Sequence, residues 1–217
     1  MTKRIAALVL AASMAVATAA HAQPRGHLAL GVGVGYHNFQ NDAISGTGLS
    51  IVPEYHLGLT QNRNREGLSW GLKGGIGYSN TDLEQSIGGF QTGSGSMRTV
   101  PVMVGVGPSY RTGPWRLGLG VVAGPSFNHF TVDDAARAAY RDRLGLTLNS
   151  IEAGNSLAVR PDMSVWYNIT DMFGLHSSIS YTFNQPVVKT TVNGVTSESE
   201  WNLNRWNYQA GVTLGVF

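Results

Sequence analysis

The 217-residue chain contains no cysteine. That excludes a disulfide framework, a thiolate nucleophile and any cysteine-based zinc or iron–sulfur site. Charge is scarce as well, with only 13% of residues Asp, Glu, Lys or Arg against 42% hydrophobic. Disorder needs the opposite balance. The formal net charge of +2 vanishes once Lys3 and Arg4 are set aside with a leader, leaving 13 basic against 13 acidic side chains. A neutral chain is a poor match for nucleic acid, so none is expected as a partner. Beyond the leader no segment offers 18 consecutive apolar residues, and no transmembrane helix is expected.

The leader itself is well marked. Lys3 and Arg4 precede an apolar stretch from Ile5 to Ala20, which ends in Ala20-His21-Ala22 before Gln23. This is the layout of a secretory signal with an A-x-A cleavage site. The reading is a signal peptide over 1–22 and one exported domain over 23–217.

What the mature chain has in abundance is alternation. Glycine supplies 28 residues, and many fall between apolar residues at every second position, the period of a two-faced strand. Leu30, Val32, Val34 and Tyr36 alternate with Gly31, Gly33 and Gly35. Similar segments cover 49–59, 68–78, 99–110, 115–127, 157–167, 173–183 and 205–216, giving eight strands in all. Each has the length a tilted membrane strand needs. If the polar face met lipid, Lys73, Arg116 and Arg160 would sit in hydrocarbon at ~2–4 kcal/mol each near the midplane. The apolar face therefore points outward, and the polar, glycine-rich face fills a narrow lumen.

Connectors alternate too, with short links around 60–67, 111–114 and 168–171 and long polar ones around 37–48, 79–98, 128–156 and 184–203. Short periplasmic turns and long extracellular loops are the asymmetry of an outer-membrane barrel. Aromatics gather at strand ends. Trp70, Tyr110, Trp115, Tyr167 and Phe173 lie toward the turns, and Tyr36, Tyr78, Phe127, Tyr181, Phe183 and Trp206 toward the loops. These are expected as two lipid-interface girdles.

With these features the chain resembles the small eight-stranded outer-membrane proteins of the OmpA-barrel and OmpX/Ail type, over essentially all of 23–217. The resemblance is architectural. It implies an all-β, antiparallel up-and-down barrel, monomeric, in the outer membrane of a Gram-negative-type cell, surrounded by phospholipid and lipopolysaccharide. It also implies that barrel-assembly machinery reads the final strand and its terminal aromatic, here Phe217. Phe217 departs from the pattern, because Val212, Leu214 and Val216 carry the lipid-facing phase. A bent-back last residue and a phase-resetting bulge are both open at this point.

The expected lumen contains Glu54, His56, Lys73, Arg116, Arg160, Asp162 and His176. Pairing Leu59 with Leu68 across their turn would set Glu54 opposite Lys73 as an ion pair, with the other groups extending it. A network that satisfies buried charge and plugs the lumen is preferred to a narrow ion or small-solute path. A third reading is enzymatic. His176 and Ser178 share a face, and Asp162 on the preceding strand is a candidate orienting carboxylate. This resembles the His-x-Ser arrangement of outer-membrane lipid A deacylases, but the pair points inward, and the expected acid shortly after it is missing. The chain is therefore expected not to be an enzyme. The glycines follow no phosphate-loop pattern, and neither a cofactor nor a metal is expected.

The loops lean toward recognition of an extracellular ligand. Asp133 and the alanines behind it predict a short helix, on which Arg137, Arg141 and Arg143 are candidates for lipopolysaccharide phosphates or an acidic partner. The stretches 88–96 and 192–200 read as flexible. For Phe217, deletion should lower the amount of barrel inserted in cells while leaving the urea stability of the inserted fraction nearly unchanged. Equal insertion would remove the signal role.

Overall fold

The computed structural model of the chain describes residues 28–40, 44–58, 66–87, 90–170 and 172–216. Residues 1–27, where the leader is expected, and Phe217 lie outside the described residues, as do 59–65 of the first short link. The strands are β1 (Leu28–Gln40), β2 (Ile44–Gly58), β3 (Gly67–Ile76), β4 (Tyr78–Ile87), β5 (Phe90–Thr112) and β6 (Trp115–Val132). A helix, α1 (Asp134–Leu144), leads to β7 (Leu148–Ala153), β8 (Ser156–Asn168), β9 (Phe173–Asn184), β10 (Val187–Val192), β11 (Val195–Glu200) and β12 (Arg205–Val216).

Every pairing is antiparallel, and the ladder closes on itself. β1 pairs β12 at one edge and β2 at the other, and the ring continues through β3 and β4, β5, β6, β8 and β9 back to β12. β3 and β4 are two halves of one stave separated at Gly77, whose N–H still donates to Pro101 O at 2.9 Å. Counting them as one gives the eight staves that the alternation predicts. Closure leaves no unpaired edge in a medium that offers no water.

The two faces fall as the energy argument requires. Along β6 the odd positions Trp115, Leu117, Leu119, Val121 and Phe127 are exposed, while Gly118, Val122, Ser126 and Asn128 are buried. Among the described residues, Lys73, His176, Arg205 and Gln209 are all buried on the inward phase. Outside, Trp115 and Tyr167 meet at 4.7 Å near the periplasmic end, and Tyr181 packs on Phe183 and Trp206 at 4.9 and 5.0 Å near the other. Phe173 and Phe183 are ten residues apart on β9. That is ~33 Å along the strand, or roughly 25 Å of membrane normal at a tilt of ~40°.

The long connectors are corrected by the structure. They continue the ladder beyond the girdles instead of leaving it: β1 runs to Gln40, β4 and β5 pair out to Ile87 and Phe90, and β6 extends to Val132. The segment 192–200 is a hairpin arm, because Asn193 (φ 49°) and Gly194 (φ 76°) supply the left-handed conformations of a tight primed turn. β10 pairs β11 and β7 in a separate three-stranded sheet on the extracellular side. α1 forms where predicted, with Asp133 in extended conformation at its N-cap and Gly145 (φ 64°) closing its C-terminus. Asp133 makes no side-chain capping hydrogen bond. The ladder of β12 on β1 runs without a shift to Val216, so no bulge resets the phase before Phe217.

Val121 lies midway between the girdle residues Trp115 and Phe127 and faces outward. Val121→Arg should therefore lower urea stability in bilayers by ~2–4 kcal/mol. Leu214→Arg, opposite girdle residue Phe173, should do less harm. A harmless Val121→Arg would show the faces of β6 reversed.

Candidate functional site in the barrel lumen

Lys73 projects inward from β3 and is only 7% exposed. Its Nζ lies 2.8 Å from Asp162 Oδ2 on β8 and 3.4 Å from Ser164 Oγ. The ammonium thus crosses above β5 and β6 to reach its counter-charge. Two glycines of β6 make that crossing sterically feasible. A Cβ on Gly120 would stand 2.8 Å from both Asp162 Oδ1 and Lys73 Cδ, and one on Gly118 would be 2.8 Å from Ser164 Oγ. The alternating glycines therefore act as clearance for one buried ion pair.

The pairing differs from the expectation. β2 and β3 are in a register that sets His56 opposite Lys73 and Glu54 opposite Gly75. The register lies two residues from a Leu59–Leu68 closure, so Glu54 is diagonal to Lys73 and not directly opposite it; among the described side chains the Lys73 ammonium is engaged by Asp162. Both Glu54 and His56 hold lumen-phase positions in the ladder, opposite Gly31 and Ala29 of β1; their side chains lie outside the described residues.

The other charged positions are spread through the lumen. Arg205 is buried, donating to Ser79 Oγ at 3.3 Å and to Asn207 Oδ1 at 3.2 Å. Arg160 stands opposite Val122, half-buried. Arg116 stands opposite Arg111 and Trp166, near the periplasmic end. His176 is buried beside the Trp166 ring at 5.4 Å, with its Nε2 3.3 Å from Gln209 Nε2. Gly211 opens room for it, since a Cβ there would stand 2.7 Å from His176 Cε1.

The catalytic constellation is not assembled. His176 and Ser178 do share the inward face, but the β8–β9 register sets Trp166 opposite His176 and Ser164 opposite Ser178. Asp162 falls opposite Ser180, four residues along from His176, or ~13 Å at strand spacing. Its carboxylate is engaged by Lys73 instead. A base and its orienting acid need hydrogen-bond contact.

Toward the extracellular side the lumen holds two layers that the sequence reading missed. The first is polar. Asn128 Nδ2 donates to Gly154 O and Ser156 Oγ at 3.0 Å each, Ser156 bonds Asn184, and Asn184 Nδ2 reaches Ser126 Oγ at 3.3 Å. Beyond it lies an apolar cluster of Met97, Phe130, Leu148, Ile151, Val188 and Leu203, with Trp201 edge-on to Phe130 at 5.4 Å. The signal was present in β6: Phe127 carries the outward phase, whereas Phe130 and Val132 carry the inward one. Hydrophobicity changes face where the strand leaves the membrane.

A closed ladder with this inverted polarity invites comparison with known membrane barrels. A family model for the outer membrane protein β-barrel domain matches residues 5–172. The chain belongs to this outer-membrane β-barrel family. It is an integral protein of the outer membrane of a Gram-negative-type cell. Among solved structures, this barrel is similar to OprG from Pseudomonas aeruginosa, with a TM-score of 0.61 at 9% identity over 88% of this chain and 95% of that one. It is also similar to Ail of Yersinia pestis, in a structure with the heparin analogue sucrose octasulfate, with a TM-score of 0.50 at 11% identity over 88% and 99%. At such identities the likeness shows the fold alone. Comparison with curated proteins found no match.

Removing Asp162 from this family member strands a buried ammonium. Asp162→Ala should lower stability by about 3 kcal/mol, the lower end for a broken buried pair. Lys73→Met added to it should recover most of that loss in a urea titration of the reconstituted barrel. No recovery would mean that Asp162 acts through groups other than Lys73.

Proposed function

We propose that this barrel is a structural and surface-interaction protein of the outer membrane, with its lumen plugged and its extracellular end as the contact surface. The observation that carries this reading is the stacking of filled layers: the Lys73–Asp162 pair, the Ser126–Asn128–Ser156–Asn184 hydrogen bonds and the Met97–Phe130–Leu203 cluster. Eight staves leave little lumen once side chains enter it. An ion crossing the last layer would shed water with no polar replacement.

Above that layer the structured surface faces outward. β10 and β11 form a polar arm in which Lys189 Nζ lies 2.8 Å from Glu198 Oε1. This hydrogen bond, with the Glu198 charge behind it, holds the Lys189 ammonium above its usual pKa. On α1, Arg137, Arg141 and Arg143 are exposed, Arg137 lying 3.6 Å from Asp134. A surface of mixed charge on a rigid strand framework suits a polar ligand or glycolipid, reached by a monomer inserted by the assembly machinery. The reading assigns no catalytic step to His176 or Ser178.

Planar bilayers containing the purified protein should show no steady conductance. Phe130→Ala with Met97→Ala should raise leak, because it empties the apolar layer. Steady, ion-selective current in the unmodified protein, altered by Lys73→Ala, would establish the transport reading in its place. Deacylated lipid A in expressing cells, lost in His176→Ala, would establish the enzymatic one.

A further inference from the structure

Arg98 is a cation on the wrong face. It sits on β5 in the outward, lipid-facing phase, the same phase as Val102, Val104 and Val106, and it is exposed. Its position explains how it is tolerated. Phe127, opposite Val100, belongs to the extracellular girdle, and Arg98 is the next outward residue beyond that level, opposite His129. On its other side β4 presents Asn80. Asn80, Arg98 and His129 thus form one exposed row across three strands, one step outside the aromatic belt. That is the level of the lipid headgroups.

The guanidinium does not simply extend into water. Its Cζ lies over the Tyr78 ring at 6.0 Å from the centroid, so the side chain leans back onto the belt. A cation–π contact restrains the fork while leaving its N–H donors at the membrane surface. Among the described residues no carboxylate pairs with Arg98; of the two acids of β4, Asp82 stands a row farther out opposite Ser96, and Glu84 lies beyond it opposite Gly93. A restrained guanidinium, flanked by an imidazole and a carboxamide, forms a small patch of donors without a counter-anion.

We propose that Arg98, Asn80 and His129 form a binding site for a phosphate group of the outer-leaflet glycolipid, with Tyr78 orienting the guanidinium. The chemistry is a bidentate, charge-assisted grip on a phosphate oxyanion, which arginine makes and lysine matches poorly. The glycolipid is favoured over other phosphates by height, since the donors lie against the belt on the lipid side of the wall. The inference rests on the outer-membrane location and not on the sealed lumen, so a conducting barrel would leave it standing.

The test uses the full mature barrel in detergent, titrated with lipid A carrying its phosphates and with the same lipid A stripped of them, read by native mass spectrometry. The unmodified protein should prefer the phosphorylated form by about tenfold, the worth of one hydrogen-bonded charge pair. Arg98→Ala should abolish the preference, and Arg98→Lys should keep only part of it. Heat-modifiable migration verifies that each variant is folded. The proposal is overturned if Arg98→Ala retains the preference, or if the unmodified protein shows none. It is equally overturned, as to the glycolipid, if vesicles of phosphatidylethanolamine with phosphatidylglycerol compete as well as phosphorylated lipid A.

Discussion

A backbone that crosses hydrocarbon must satisfy all of its own N–H and C=O groups, and in this chain a single closed ladder does so. Everything else follows from the join between β1 and β12. Once Leu28 to Phe39 pair with Val216 to Arg205, each strand of the ring has a neighbour on both sides and only its two faces remain to be assigned. Lipid takes the valine, leucine and aromatic phase. The other phase is enclosed, whatever its polarity, and the chain must then neutralise what it has enclosed.

That second obligation shapes the lumen. A lysine enclosed in a narrow barrel needs a carboxylate, and a carboxylate three strands away is useful only if nothing stands between. Gly118 and Gly120 provide the opening, and Ser164 accepts a further contact from the same ammonium. The same logic recurs around His176, where Gly31 and Gly211 leave space for an imidazole set against Trp166 and Gln209. Large polar groups and absent side chains are complementary halves of one packing solution.

The staves, their faces and the girdles were legible in the sequence because lipid imposes a period of two on every strand. The inward phase of Lys73, Asp162 and His176 was legible for the same reason. Their partners were not. The register of β2 on β3 lies two residues from the one expected, and a shift of two alters partners without altering faces. The candidate triad failed likewise: phase placed His176, Ser178 and Asp162 inside, while register set Asp162 beside Ser180. The polar connectors were misread for a different reason. Above the membrane a strand no longer needs an apolar outer face, so 79–98 and 192–200 lose the alternation that marks the staves while keeping their pairing. Only the Asn193-Gly194 turn and the inward swing of Phe130 recorded it.

The swing at Phe130 divides one continuous strand pair between two solvents. Below it, transfer from lipid to water is opposed by the outer face; above it, by the inner one. The outer cluster gathers Met97, Phe130, Leu148, Ile151, Val188 and Leu203 from segments more than a hundred positions apart in the chain. Such a cluster has a high contact order and cannot close until β5, β6, β8, β9 and β12 are already held side by side. The membrane-embedded ring is therefore the template on which the water-exposed crown condenses. The two parts are thus held by different forces, the crown by the ordinary hydrophobic effect and the ring by the lipid around it.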